Sequence, residues 1–183
     1  MKLRLVTALV LAGGLLLSVS GAEAATPVMD GKKVKVLKIT GTSGVEEHDV
    51  DLTGTGPDPI DCGKPRCLRL QFVYKPAKGI KGGLMFTAKW STPGTDIDLF
   101  VGEVGKNGRA TRIAACASTG PPSEKLFLAP SALRSGRTYV MVLDFFRAVN
   151  EKVTGTVEMT SKSTVAITMP AKAESVKKVN CTL

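Results

Sequence analysis

Alternation of apolar and polar residues with a period of two is the feature that most constrains the fold of this chain. In residues 68–75, the apolar side chains of Leu68, Leu70, Phe72 and Tyr74 alternate with Arg69, Gln71, Val73 and Lys75. Successive side chains of a strand point to opposite faces, so this pattern predicts a strand with one buried face. The alternation recurs in residues 84–90, 97–101 and 139–145. In the last of these Val140 and Val142 are apolar as well, which predicts a central strand.

Further strands are predicted at residues 33–39, 45–52, 111–116, 124–129, 153–160 and 164–169, separated by turn-forming clusters rich in glycine, proline and serine. Eight to ten short strands punctuated in this way predict an all-β fold, an antiparallel β-sandwich. Helical turns are expected only at residues 129–134 and 171–179. Residues 25–31 are expected to form a flexible entry segment.

The first 24 residues have the pattern of a secretory signal peptide. Lys2 and Arg4 precede the apolar run 5–17, and Ala22, Glu23 and Ala24 supply a small-x-small cleavage site. The run is interrupted by glycine and is shorter than the ~20 residues that span a bilayer. We therefore expect residues 1–24 to be removed, and residues 25–183 to be a single secreted or periplasmic domain without a transmembrane segment.

The exported part is basic, with a net charge of +8 that is unevenly distributed. Residues 25–63 contain four basic and seven acidic side chains, whereas the rest contains nineteen basic and eight acidic ones. A basic surface attracts anionic polymers such as nucleic acid or polysaccharide, although the charge can also serve solubility alone. The candidate surface-binding residues are Lys64, Arg66, Arg69, Lys75, Arg109 and Arg112.

All four cysteines lie beyond the signal peptide, where an even number favours disulfides. Of the three possible pairings we predict Cys62 with Cys67, which closes a short loop, and Cys116 with Cys181, which ties down the C-terminal tail. The C-x4-C spacing and the single histidine of the chain argue against structural zinc.

Two carboxylates interrupt an apolar run in the segment TDIDLFV. The alternation places Ile97, Leu99 and Val101 in the core and Asp96 and Asp98 on the opposite face of the strand. A catalytic pair needs a cleft, and neighbouring positions on one strand seldom line both of its sides. Calcium could bind the two carboxylates together with turn carbonyls. Alternatively, one carboxylate accepts hydrogen bonds from backbone N–H groups of a neighbouring turn.

A second calcium hypothesis concerns residues 49–60, which begin like an EF-hand loop but place Ile60 where the loop needs a glutamate. An irregular calcium site formed by Asp49, Asp51, Asp58 and Asp61 stays open. The alternative interpretation is a solvated acidic loop.

The segments GGLMFTAKW, TDIDLFV, EKLFL and SGRTYVMVLDF together resemble the bacterial pre-peptidase C-terminal (PPC) domain over residues 68–160. The matching positions are Asp96, Asp98, Leu99, Phe100, Val101, Gly136, Tyr139, Met141 and Leu143. The resemblance implies a jelly-roll-like β-sandwich of a secreted bacterial protein. It also implies an accessory binding module, some members of the family binding calcium or matrix polymers. We expect no peptidase to accompany the module here.

The sequence offers few residues from which a catalytic site could be built. His48 is the only histidine, there is no G-x-S-x-G segment, and no cysteine is expected to stay free. We therefore predict a non-enzymatic secreted or periplasmic module that binds an anionic, carbohydrate or matrix surface, with Ca²⁺ as a possible cofactor. One alternative is a protease inhibitor or regulator that presents Lys64 and Arg66 on the Cys62–Cys67 loop. The other is a structural envelope component.

Overall fold

The computed structural model describes residues 25–44, 59–116 and 122–160, and the structural statements below concern these residues. They form nine strands, β1 Val28–Met29, β2 Val36–Thr42, β3 Cys67–Tyr74, β4 Gly83–Lys89, β5 Asp96–Val104, β6 Ala110–Cys116, β7 Ser123–Leu128, β8 Arg137–Arg147 and β9 Lys152–Thr160. Two 3-10 turns, Pro59–Asp61 and Pro130–Ala132, complete the elements. The signal peptide, the strands expected at 45–52 and 164–169 and the helical turn expected at 171–179 lie outside the described residues.

The strands form two sheets that pack face to face. One sheet has five strands in the order β1-β3-β8-β5-β6, and the other has four in the order β2-β9-β4-β7. Strand β1 pairs in parallel with β3, while the other pairings are antiparallel. Strands β2 to β9 have the strand order of a jelly roll, with four strands in each sheet. The predicted all-β, jelly-roll-like sandwich is thereby confirmed.

The main core lies between the two sheets, on the parity that the sequence pattern predicted. Ile97, Leu99 and Val101 are fully buried on β5. The aromatic side chains assigned to the interior, Phe72, Phe86, Trp90, Tyr139 and Phe145, are all buried as well. Strand β8 is the middle strand of the five-stranded sheet, and Val140 and Val142 on its outer face are also fully buried. The prediction of a central strand is confirmed. No helix among these residues is long and apolar enough to span a bilayer.

The entry segment is not flexible, and that prediction was wrong. Strand β1 pairs with β3, and Met29 is fully buried in the core. Directly after it, Oδ1 of Asp30 accepts hydrogen bonds from the backbone N–H groups of Lys32, Lys33 and Val34, which closes a turn. A strand of two residues is too short to show a period in the sequence. Its pairing with a long strand is what orders it.

A second, smaller core covers the outer face of the five-stranded sheet. Residues 59–67 fold over this face, and Ile60 packs with Phe100, Val140 and Val142. The predicted disulfide between Cys62 and Cys67 is present and closes the end of this segment. The guanidinium group of Arg69 donates hydrogen bonds to the carbonyl oxygens of Ile60 and Cys62. Part of the outer face of this sheet is therefore buried beneath residues 59–67, which the sequence pattern did not predict.

Candidate functional site

The two carboxylates of the TDIDLFV segment lie at one end of the five-stranded sheet, next to a third. Asp98 on β5 is in register with Asp144 on β8, and Asp144 is in register with Cys67 on β3. The side chain of Asp144 is fully buried, and Arg66 binds it in a bidentate manner, with N–O distances of 3.2 Å for both Nε and Nη2. This arginine anchors the disulfide-closed loop to the sheet.

Burial changes the ionisation of Asp96 and Asp98. Burial, together with the nearby carboxylates of Asp96 and Asp144, raises the pKa of Asp98 to about 7. Burial also raises the pKa of Asp96, and the positive charge of Arg147 on the opposing strand offsets part of this effect. Oδ1 of Asp96 is buried without a hydrogen-bond partner. The cluster therefore carries less negative charge at neutral pH than three exposed aspartates would.

The part of the chain that the structure describes shows no evident calcium site. No group of three or more histidine, cysteine or carboxylate side chains is arranged there to hold a metal ion. Of the second proposed set, Asp61 is exposed on the first 3-10 turn, whereas Asp49, Asp51 and Asp58 lie outside the described residues. Calcium binding by either set stays a prediction.

The sequence suggested that Asp96 or Asp98 accepts hydrogen bonds from backbone N–H groups. In the structure Glu124 and Glu151 do so. Oε2 of Glu124 accepts a hydrogen bond of 2.8 Å from the backbone N–H of Leu99. Oε1 of Glu151 accepts from both the N–H and the hydroxyl of Ser91 at 2.8 Å. Burial raises the pKa of Glu151, but hydrogen bonds from Thr92 and Ser91 outweigh this and hold the pKa below its usual value.

Glu103 is also engaged within the protein. It forms salt bridges of 2.7 Å with both Arg134 and Arg137. Burial raises the pKa of its carboxyl, and the hydrogen bonds and charges of the two arginines more than reverse this, so that the pKa lies below its usual value. The acids of the described residues are thus mostly partners of internal groups.

Acidic and basic side chains are consequently sorted between interior and surface. Of the nine acidic residues in the described ranges only Asp61 and Glu158 are exposed. Of the nineteen basic residues sixteen are exposed, the exceptions being Arg66, Arg69 and Arg137. The surface of these residues therefore has a larger excess of basic over acidic side chains than their own composition of nineteen to nine suggests. Composition alone counts each acid as if it faced the solvent, which is why the sequence did not indicate this difference.

The six basic residues selected from the sequence do not form one patch. Arg66 and Arg69 are bound to internal acceptors, as described above. Arg112 on β6 lies over the ring of Phe100, with its guanidinium carbon 5.7 Å from the ring centroid. Lys64 is exposed on the disulfide-closed loop, while Lys75 and Arg109 lie at the opposite end of the sheet, after β3 and before β6.

The outer face of the four-stranded sheet carries a more regular set of side chains. Four lysines project from it, one on each strand, namely Lys38, Lys89, Lys125 and Lys152. The same face carries Thr40, Thr42, Thr87, Thr154 and Thr156. We call these nine residues the lysine–threonine face. The strand register places Lys38, Thr156, Thr87 and Lys125 in one row across the sheet.

Three of these lysines lie on a diagonal across neighbouring strands. Lys125 pairs with Thr87 on β4, and Lys89 stands two residues further along β4. Lys89 pairs with Thr154 on β9, and Lys152 stands two residues before it. With strands about 4.8 Å apart and about 3.4 Å per residue, neighbouring lysine Cα atoms on this diagonal are about 8 Å apart. An apolar corner formed by Val36, Met85 and Phe127 and the single acid Glu158 border the face.

The sequence shows which residues of each strand alternate onto this face, but it does not show which strands lie next to each other. The segments VLKITGT, LMFTAK and KVTGTVEMT each place lysine, threonine or another side chain of similar size on alternate positions. Nothing in the separate segments says that β9 lies between β2 and β4. That neighbourhood depends on the pairing of β9 with two strands distant in sequence, β2 more than a hundred residues away and β4 more than sixty, which a single sequence does not specify.

Comparisons with known proteins do not identify a family for this chain. No family model and no curated protein sequence matches the chain, so the resemblance to the PPC domain stays a prediction. Among solved structures, the chain is similar to a mitogen from Yersinia pseudotuberculosis, with a TM-score of 0.40 and 11% identity over 70% of this chain and 89% of that one. It is also similar to PliG from Aeromonas hydrophila, a periplasmic inhibitor of g-type lysozyme, with a TM-score of 0.39 and 13% identity over 74% and 95% of the two chains. Similarities of this size carry no argument about function.

Proposed function

We propose that this protein is a non-catalytic binding module, exported to the periplasm or the cell exterior, that holds an anionic polymer through its cationic surface. The observation that carries the proposal is the sorting of charge, with sixteen basic residues exposed against two acidic ones in the described ranges. Such an excess of one sign produces a surface potential that concentrates anionic ligands and speeds their association. A polymer suits this surface because it can contact several separated lysines at once.

The engagement of most internal acids, Asp96 and Asp98 being the exceptions, supports a non-catalytic role. Asp144 is held by Arg66, Glu103 by two arginines, and Glu124 and Glu151 by backbone N–H groups. The cysteines of the described residues are disulfide-bonded, so they offer no thiolate nucleophile. A general base and a nucleophile within hydrogen-bond reach of each other are what a hydrolase would need.

The proposal is tested by titrating fluorescently labelled polymers with the oxidised mature protein. The probes are polygalacturonate, polyphosphate and single-stranded DNA, with neutral dextran as the control. We expect binding of at least one polyanion at 50 mM salt, none of dextran, and an affinity that falls steeply as salt is raised, because mobile ions screen the contacts. No polyanion binding at low salt, or an affinity insensitive to salt, would refute the proposal.

A second candidate function is inhibition of a protease by the Cys62–Cys67 loop. Within this loop Lys64 is exposed, while the disulfide and the bond between Arg66 and Asp144 fix both sides of it. A rigid loop that presents one basic side chain loses little entropy on binding. The variant Lys64→Ala should abolish inhibition of a trypsin-like protease, while Lys106→Ala should not. Absence of inhibition by the wild-type protein across a panel of serine proteases removes this candidate.

A further inference from the structure

We infer that the lysine–threonine face is the binding site for one class of polyanion, an acidic polysaccharide with carboxylate or sulfate groups on hydroxyl-bearing sugar rings. This inference rests on the proposed function and adds a location and a ligand class to it. The face is the outer surface of the four-stranded sheet, on the opposite side of the sandwich from the disulfide-closed loop.

The arrangement of charge on the face supports an extended ligand. The diagonal of Lys125, Lys89 and Lys152 crosses three neighbouring strands, and Lys38 adds a fourth charge on β2. Successive Cα atoms on the diagonal are about 8 Å apart, so the ammonium groups on their flexible stems can meet anionic groups repeated along a chain. All four lysines are exposed, whereas Glu158 is the one acid on this face among the described residues. The face is therefore complementary to a polyanion in charge.

The threonines distinguish a sugar polymer from a simple polyanion. Thr87, Thr154 and Thr156 occupy the middle of the face, between the lysines, and are half-buried. A threonine hydroxyl both donates and accepts hydrogen bonds, which matches the hydroxyl groups of a sugar ring. A polyphosphate chain offers acceptor oxygens but no hydroxyl donors along its length. The hydroxyl array therefore favours a ligand whose charges alternate with hydroxyl groups.

Nucleic acid and membrane surfaces fit the face less well. Proteins that bind single-stranded nucleic acid present aromatic rings on which bases stack. The one aromatic side chain of this face in the described residues is Phe127, which is half-buried at a corner. A membrane-binding surface inserts exposed apolar side chains. In the described ranges the exposed large hydrophobics are Val28, Val36 and Val149, and of these only Val36 lies on this face.

Two triple variants with equal charge test the location. The face variant Lys89→Gln/Lys125→Gln/Lys152→Gln removes the diagonal. The control variant Lys32→Gln/Lys78→Gln/Lys106→Gln removes three exposed lysines that lie outside the strands of the four-stranded sheet. For polygalacturonate at 50 mM salt, we expect the face variant to lose affinity by at least about tenfold and the control variant by less than about threefold. Equal losses in the two variants would overturn the location while leaving the proposed function intact.

A third variant tests the ligand class without changing the charge. Thr87→Val/Thr156→Val keeps the shape and the strand preference of both positions but removes two hydroxyls. We expect an affinity loss of about fivefold for polygalacturonate, equivalent to one lost hydrogen bond, and no change for polyphosphate. An unchanged affinity for polygalacturonate, or tighter wild-type binding of single-stranded DNA than of polygalacturonate, would overturn the assignment to a polysaccharide. Failure of the wild-type protein to bind any of the three polyanions would instead refute the proposed function itself.

Discussion

Asp98 and Asp144 lie directly opposite each other on β5 and β8, and Arg66 neutralises only one of the two. The guanidinium group of Arg66 binds both carboxylate oxygens of Asp144, which is fully buried. Asp98 is left facing a carboxylate in a partly buried site. Two neighbouring carboxylates in such a site cannot both ionise without a cost in free energy. The protein tolerates this arrangement because Asp98 can take up a proton.

The stability of the protein should therefore depend on pH through Asp98. Burial, together with the charges of Asp96 and Asp144, raises the pKa of this carboxyl from 3.8 in the unfolded chain to about 7 in the folded protein. The folded state binds the proton more tightly, so the contribution to stability is fully present below about pH 4 and is lost as the pH rises to about 7. At full strength the shift would amount to about 4 kcal/mol. Because the side chain is partly exposed, we expect about 1–3 kcal/mol.

The variant Asp98→Asn isolates this effect, since an amide resembles the protonated carboxyl. We expect a gain in the free energy of unfolding of about 1–3 kcal/mol at pH 8 and almost none at pH 4. Urea denaturation at pH 4, 6 and 8 measures the difference between variant and wild type, with the exposed Asp61→Asn as the control. A gain that is the same at all three pH values would contradict the assignment of this titration to Asp98.

Removal of Arg66 should destabilise the protein strongly. The side chain of Asp144 has no exposed surface, whereas 25% of the Arg66 side chain is exposed, so Arg66→Ala would leave a buried carboxylate without its partner. We expect a loss of about 3 kcal/mol in the free energy of unfolding. The double variant Arg66→Ala/Asp144→Asn should recover part of this loss, because the charge is then removed with its partner. Chemical denaturation measures all three proteins, and Lys64→Ala on the same loop should change stability by less than about 0.5 kcal/mol.

The Cys62–Cys67 disulfide should contribute a moderate amount of stability. The loop that it closes is short, and the entropy of closing about six residues corresponds to about 2 kcal/mol. The test is the variant Cys62→Ala/Cys67→Ala, because a reductant would also act on Cys116, which is disulfide-bonded too. We expect a loss of about 2 kcal/mol in denaturation and faster amide exchange at Phe100 and Val142, which the loop segment covers. Unchanged stability and exchange would show that Ile60 and Arg69 hold the segment without the disulfide. The expected partner of Cys116, Cys181, lies outside the described residues.

The strands of this protein could be predicted because each depends on its own residues. The alternation of Ile97 and Leu99 with Asp96 and Asp98 was sufficient to identify a strand and its buried face. The apolar positions Val140 and Val142 were sufficient to identify the central strand. Strand β1 was missed because its order comes from pairing with β3 rather than from a pattern of its own.

The sites could not be predicted because they depend on pairing between distant residues. Arg66 and Asp144 are separated by 78 positions. Because they form a salt bridge, Arg66, which the sequence suggested as a surface-binding residue, instead binds a buried carboxylate. The lysine–threonine face likewise exists only because β9 lies between β2 and β4. The full or partial burial of most acidic side chains of the described residues likewise cannot be predicted from composition. The charge of the surface therefore had to be taken from the structure.

A close approach of the two sheets at Gly155 gives a last prediction, for the packing of the sandwich. A Cβ atom at this position would lie 2.6 Å from Cε of Met141 and 2.9 Å from Cδ1 of Leu143, both on the opposing sheet. These side chains are fully buried and have little room to move, so Gly155→Ala should reduce the free energy of unfolding by about 1–3 kcal/mol. Adding Met141→Ala should cost less in the Gly155→Ala background than in wild type, because the shortened side chain makes room for the new methyl group. Thermal and chemical denaturation of the four proteins measure this coupling, and Gly63→Ala, whose Cβ would meet no atom within 4 Å, serves as the control. Strictly additive losses would show that the two sheets can separate locally to admit a methyl group.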